Sequence, residues 1–279
     1  MNATTNAAAA GTITIGGDLK VNRLGYGAMR LTGAGVWGEP KDPQTARRVL
    51  QRALELGINF IDTADSYGPE VNERFIAETL HPYPKGLVIA TKGGLIRPSR
   101  DEWLRRGSTA HLRQACEASL KRLRVERIDL YQLHAPDPRV RVEDSIGELA
   151  RLQQEGKIRH IGVSNFSVAE LERVAGIAKI VSVQNRYNVS DRRSDDVIAY
   201  CESHKMAFIP WYPLAAGEHA GGDSGSPELA RIAKQHSLTP AQAALAWLLA
   251  RSPAMLPIPG TSSVAHLEEN VAAARVSIA

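Results

Sequence analysis

The chain has 279 residues, 43% of them hydrophobic and 23% charged, with a formal net charge of +4. That length can bury a large core, and that composition is ordinary for a folded protein. The arginines of RPSRDEWLRRG, KRLRVER and RVRVED are scattered and lack interleaved aromatics, which argues against a nucleic-acid stripe, although a positive surplus suits an anionic small ligand.

The opening MNATTNAAAAG has neither a basic n-region nor a long apolar stretch. It reads as a disordered tail over residues 1–10 rather than a signal peptide, with 11–279 forming one domain. A short hairpin is expected around TITIGGDLK. Strand–helix units then alternate: VNRLGYGAM with DPQTARRVLQRALELG, INFIDTAD with NERFIAETL, LVIATKGG with STAHLRQACEASLKRL, and IDLYQLH with VEDSIGELARLQQEG. IRHIGVSN pairs with SVAELERVAGIA, and IVSVQNRYN with SDDVIAYCESH. MAFIPWYPL precedes two helices, SPELARIAKQH and TPAQAALAWLLARS, and AMLPIPGT precedes SVAHLEENVAAAR. Pro near a first turn and Gly just past a last one mark the helix ends. GEHAGGDSGS reads as a surface loop. Cys116 and Cys201 fall in helical patterns and make neither a disulfide framework nor a zinc spacing. The longest apolar run, AQAALAWLLA, falls short of the roughly 18 residues that a membrane span needs. No membrane or nucleic-acid partner is expected, and a cytoplasmic location is.

Eight alternating units imply parallel strands with right-handed crossovers and match a closed (β/α)8 barrel of the TIM type. A doubly wound open sheet is the rival. It would want G-x-G-x-x-G after the first strand, which GYGAMRLTG lacks. Barrel sites form at the C-terminal strand ends. Those ends carry Asp62 and Tyr67, Lys92, His134, Ser164 and Asn165, Gln184 and Asn185, then Trp211 and Tyr212. Asp62 shares a strand face with Ile58 and Phe60, so an unpaired charge there would be costly. Lys92 is the cation able to compensate it. The same ammonium beside Tyr67 favours phenolate and should lower a phenol pKa of about 10, making Tyr67 a proton donor. His134 could fix a carbonyl oxygen at the same point. No activated Ser or Cys supplies a nucleophile, so hydride from a cofactor is the economical source of the electron pair.

Over nearly its whole length the chain resembles the aldo-keto reductases, through NFIDTADSYG, ATKGG, LYQLH, HIGVSNFS, VQNRYN, WYPLA and IPGTSSVAHLEEN. The resemblance implies a (β/α)8 barrel, monomeric or weakly oligomeric, that reduces aldehydes and ketones with a nicotinamide cofactor, usually NADPH. It implies a catalytic tetrad of Asp62, Tyr67, Lys92 and His134, with Tyr67 as acid, Lys92 tuning it, Asp62 orienting the lysine and His134 positioning the carbonyl. It places Ser164, Asn165 and Gln184 on the nicotinamide carboxamide, Trp211 on its ring, and Tyr212, Pro213 and Leu214 under the pyrophosphate. Thr261, Ser262 and Ser263 open the last helix, whose free N–H groups favour a phosphate. Glu269 and Asn270 match the adenine contacts, and Gly27, Ala28, Met29, Asp62 and Ile258 complete the cofactor set. Met29, Trp37 and Trp103 are implied for the substrate pocket.

Two departures stand out. Many members carry a lysine and an arginine around the 2′-phosphate of NADPH, where this chain has Gly260 and His266. NADPH remains the expected cofactor, ahead of NADH, and no metal is expected. Members also commonly continue into a tail over the substrate site, whereas the sequence here ends at VSIA, so the expectation is either a more open pocket or a chain shortened at this end. LGYGAMRLTGAGVWGEP and the last segment are similar to a bacterial subgroup that includes pyridoxal reductases, which makes pyridoxal the first substrate to test. A Schiff-base lyase is a rival, disfavoured because a lysine beside a carboxylate stays protonated. A nicotinamide-binding redox sensor with little turnover is another.

Overall fold

Local chemistry starts and stops the elements. Asp42 accepts hydrogen bonds from the N–H groups of Gln44 (3.0 Å) and Thr45 (3.1 Å), Pro43 supplies the first turn, and Gly57 at φ +77° ends the helix. The computed structural model describes residues 5–214 and 226–278. Its helices are α1 (Pro43–Glu55), α2 (Val71–Leu80), α3 (Thr109–Leu123), α4 (Val142–Gln154), α5 (Val168–Val174), α6 (Asp195–Ser203), α7 (Pro227–His236), α8 (Pro240–Arg251) and α9 (Val264–Ala272). The loop GEHAGGDSGS lies, apart from Ser226, outside the described residues.

The strands are β1 (Thr12–Ile15), β2 (Leu19–Asn22), β3 (Tyr26–Gly27), β4 (Phe60–Asp62), β5 (Val88–Gly93), β6 (Leu95–Ile96), β7 (Leu104–Arg105), β8 (Ile128–Leu133), β9 (Ile158–Ser164), β10 (Ile180–Gln184) and β11 (Ala207–Phe208). Seven pair in parallel in the order β3-β4-β5-β8-β9-β10-β11. The last two expected strands are shortened or irregular, because Pro210, Pro257 and Pro259 cannot donate to a ladder. Residues 254–259 nevertheless bridge the sheet's two edges. On one side Phe208 N donates to Ala254 O (2.8 Å) and Leu256 N to Phe208 O (2.9 Å); on the other Gly25 N donates to Pro257 O (2.9 Å). The curled sheet with its outer helices is thereby a (β/α)8 barrel.

The expected hairpin is β1–β2. Its Ile15, Leu19 and Val21 join Phe60, Val88, Leu130, Val181, Ala207 and Leu256 in one buried cluster, so the hairpin plugs the end of the barrel where the strands begin. Outside, α4 buries Val142, Ile146, Leu149 and Leu152, the spacing of one helix face. A second hairpin, β6–β7, which the strand–helix alternation does not predict, rises from the opposite rim.

The tail expected to be disordered is ordered over its described part. Asn6 caps a 3-10 turn at Ala7–Ala10, Ala7 N donates to Leu56 O (2.8 Å), and Ala7 is fully buried beside α1. Gly57 makes room for it: a Cβ there would lie 2.3 Å from Asn6 Oδ1. Both cysteines are free and buried, and burial pushes each thiol up to about 12. Among the described residues no helix is long and apolar enough to cross a membrane.

Candidate active site

One step along the inward-facing parity, the apolar floor gives way to a polar layer. Asp62 follows Phe60, Lys92 follows Ala90, Gln132 follows Leu130 and Gln184 follows Ser182. Registry places Asp62 opposite Ala90 and Lys92 opposite Gln132. Gly162 faces this crowded interior, and a Cβ there would come within 2.4 Å of Ser182 Oγ and 2.9 Å of Gln132 Cγ.

Lys92 is wholly buried, and its ammonium has three hydrogens to place. They go to Asp62 Oδ2 (2.6 Å), the Thr63 carbonyl (2.9 Å) and Tyr67 Oη (3.3 Å). Asp62 Oδ1 accepts from Gln132 Nε2 (3.1 Å) and Gln184 Nε2 (2.9 Å). The carboxylate that the sequence placed in a core strand is thus held by one cation and two amides. Tyr67 accepts from Lys92, so its own O–H is left to donate elsewhere. The Tyr67 and His134 rings stand edge to face at 5.9 Å, and Ser66 Oγ lies 3.3 Å from His134 Nδ1.

Burial acts against the Lys92 charge, but Asp62 and Tyr67 outweigh it and raise its pKa, so the ammonium persists. Burial, aided by Lys92, holds His134 well below the usual imidazole range, so its ring is neutral at pH 7. For Tyr67 the sequence-based expectation is corrected. Burial raises the phenol pKa more than Lys92 lowers it, and the net direction is upward. The phenol is therefore fully protonated near neutrality. Asp65 is also buried, with Oδ1 unpartnered, and burial and then Glu73 push its carboxyl well above the ordinary value.

A cavity of about 800 Å³ opens over this layer, within the size range of small-molecule sites. Asp62, Tyr67 and His134 line its middle. Ser164, Asn165, Gln184, Trp211, Tyr212, Pro213 and Leu214 line it further on, and Gly27, Met29, Ile258, Gly260, Thr261, Ser262, His266, Glu269 and Asn270 also border it. Trp103 lines it too. Trp37 does not; it is half-buried and forms a bridge with Gly68. Ala28 is fully buried behind the wall, its carbonyl taken by Asn72 Nδ2 (2.9 Å), and Lys92 lies beneath the surface it polarises.

The amides come already tied together. Asn165, at φ +61°, donates to the His134 carbonyl (3.0 Å) and Ser164 Oγ (3.1 Å) and accepts from Trp211 Nε1 (3.1 Å). Gln184 spends its N–H groups on Asp62 and Gln132, leaving Oε1 as its spare acceptor. At the far end Ser263 caps α9, accepting from His266 N (3.4 Å), and Thr261 Oγ1 accepts from Ser263 N (3.1 Å).

The structure adds residues that sequence reasoning missed. Gln132 carried a signal, a polar residue at the parity of His134 in an apolar strand. Arg30, Leu95, Ala241 and Pro259 line the cavity without one. Arg30 lies beside Gly260, its Cγ 3.5 Å from where a Cβ there would stand. Among the described residues no group of three His, Cys, Asp or Glu could hold a metal ion.

The C-terminal rim of a parallel barrel here joins a buried lysine–aspartate pair to a tyrosine and a neutral histidine beneath a cavity of small-molecule size. Residues 23–278 match the model of the aldo/keto reductase family, and the chain belongs to that family of oxidoreductases. It is similar to an uncharacterized oxidoreductase of Schizosaccharomyces pombe, 50% identical over 98% of this chain and 88% of that one. It is 43% identical to pyridoxine 4-dehydrogenase of Escherichia coli, over 96% and 94% of the two chains. Among solved structures, an aldo-keto reductase from Klebsiella pneumoniae in complex with NADPH superposes with a TM-score of 0.80 at 25% identity, covering 96% of this chain and 90% of that one.

Proposed function

We propose that this protein interconverts an aldehyde or ketone and its alcohol, using NADPH as hydride donor and Tyr67 as general acid. The observation that carries the reading is the polarity of the buried network. All three Lys92 hydrogens are committed, one of them to Tyr67 Oη, so the phenol faces a substrate as a donor. Its raised pKa suits this direction, because the acid must be protonated at rest and only needs to be a stronger acid than the alcohol being formed. His134 is neutral, and in the tautomer whose Nδ1 accepts the Ser66 hydroxyl its hydrogen sits on Nε2, available to the same carbonyl oxygen. As the carbonyl π bond breaks, its oxygen takes the Tyr67 proton, and the phenolate left behind is held by Lys92.

The cavity's donor set fits the dinucleotide. Trp211 offers an aromatic face, and Gln184 Oε1 and Asn165 Oδ1 offer acceptors for a carboxamide N–H. The hydroxyls of Thr261 and Ser262, the start of α9 and the Arg30 cation suit phosphates. When bound, the reduced nicotinamide supplies the hydride. The Escherichia coli relative named for pyridoxine makes pyridoxal and pyridoxine the first pair to assay. This reading leaves no role for a Schiff base at Lys92, whose charge is reinforced rather than removed. The test is steady-state NADPH oxidation with a panel of aldehydes. Tyr67→Phe should lose about 10²- to 10⁴-fold in kcat while binding NADPH normally. Parental turnover by that variant would end the proposal.

A further inference from the structure

We propose that Arg97 is a positioning residue that assembles the substrate-side wall of the cavity, so that preference for carbonyl compounds bearing a flat ring runs through it. The inference rests on the carbonyl-reductase reading and deepens it. Arg97 is only 6% exposed, and its guanidinium is spent on main-chain carbonyls from two separate rim loops. Nη1 donates to Val36 O (3.1 Å), Nη2 to Gly35 O (3.1 Å) and to Arg100 O, and Nε to Glu102 O (3.1 Å). A buried guanidinium bound to four carbonyls fastens the loop after β3 to the β6–β7 hairpin through a fork that lysine cannot reproduce. Gly35 suits the joint: its φ of +72° is one that a side chain would strain, and the Arg100 side chain packs against it, with Nε 2.6 Å from where a Cβ would stand.

The same guanidinium sits between two indoles, 3.7 Å from the Trp103 ring centroid and 5.4 Å from that of Trp37. Trp103 is 40% exposed and lines the cavity beside Leu95 and Met29. With one face covered by Arg97, the remainder of the ring borders cavity and solvent as a fixed apolar plane. The clamp also reaches the chemistry. Val36 O accepts from Arg97 and from Gly68 N (3.2 Å), and Gly68 directly follows Tyr67. Trp37, which does not line the pocket, thus acts as the far half of a sandwich that orients Trp103.

Arg97→Met keeps the apolar stem and removes the fork, and Trp103→Ala removes the plane. We compare kcat/KM for benzaldehyde and for propanal in the parent, both single variants and the double variant, with NADPH titration as control. Each single variant should lower the benzaldehyde-to-propanal ratio about tenfold, mainly through KM for benzaldehyde. The double variant should fall no further than Trp103→Ala, because Arg97 acts through that ring. Arg97→Lys, which retains the charge, carries the same comparison if Arg97→Met does not fold, and it should lose the ratio too. An unchanged ratio, or additive losses in the double variant, overturns the role of Arg97 while leaving the enzyme a carbonyl reductase. A parent inactive on every aldehyde of the panel overturns the two readings together, whereas one that reduces pyridoxal but neither of these aldehydes overturns the role of Arg97 alone.

Discussion

Replacing Lys92 with methionine isolates the electrostatic claim on which the proposed chemistry depends. In the native site the ammonium lies 3.3 Å from the oxygen that becomes anionic as the phenol gives up its proton. At an effective dielectric of about 20, full unit charges at that separation attract by about 5 kcal/mol. Half-developed charge in the transition state would feel about half of that, or roughly a hundredfold in rate. Lys92→Met should therefore cost at least about a hundredfold in kcat, more if the unpaired Asp62 adds repulsion. The pH profile separates this loss from misfolding. Carbonyl reduction consumes the Tyr67 proton, so it proceeds below the Tyr67 pKa and fails above it; alcohol oxidation needs the phenolate and rises through the same pKa. Burial already raises that pKa and Lys92 restrains it, so removing the cation must move both limbs to higher pH. The assay is kcat against pH in both directions, with melting curves alongside, because Asp62 keeps only its two glutamine donors and breaking a buried pair costs about 3–5 kcal/mol. A well-folded variant whose kcat falls while both limbs stay where they were would refute the reasoning.

Arg30→Met should weaken NADPH binding about tenfold and NADH binding less, the gap closing as salt rises; fluorescence titration at two salt concentrations checks it, and equal losses would place Arg30 away from the extra phosphate. Gln132→Leu removes one of three donors to Asp62, so it should cost about 1–2 kcal/mol in urea denaturation and about tenfold in kcat, with cofactor affinity unchanged. Asp65 gives a sign test. Its folded pKa is raised, whereas in the unfolded chain it ionises near about 3.9; the unfolded state then binds fewer protons above that point, and stability is lost as pH climbs towards the folded value. Asp65→Asn should accordingly melt at a higher temperature than the parent at pH 7 but not at pH 3, and a lower melting temperature at pH 7 would mean that Asp65 is ionised and paired.

What could be read from the chain, and what could not, divides along a physical line. Period-two patterning and strand-end position are local, and they led to the hairpin, the barrel and the rim residues Asp62, Tyr67, Lys92 and His134. The sign of the Tyr67 shift was not local. Proximity to Lys92 can be inferred from topology, but the desolvation that outweighs it depends on how completely the surrounding strands exclude water. Gln132 was legible in principle, since Leu130, Gln132 and His134 share one parity, and reading only strand ends passed over it. Arg97 and Arg30 were not: Arg97 follows the two-residue β6 and Arg30 sits in a 3-10 turn after β3, pieces too short for any periodicity to mark. The same division explains why Trp37 and Trp103, alike in sequence, part company in space. Trp103 immediately precedes β7, lines the cavity and lies under the Arg97 guanidinium. Trp37 lies in a loop whose turns at Gly35 (φ +72°) and Val36 (φ +56°) carry it to Gly68 instead. A chain can therefore announce its chemistry through the strands while leaving its choice of substrate to loops, and in this protein one buried guanidinium joins the two.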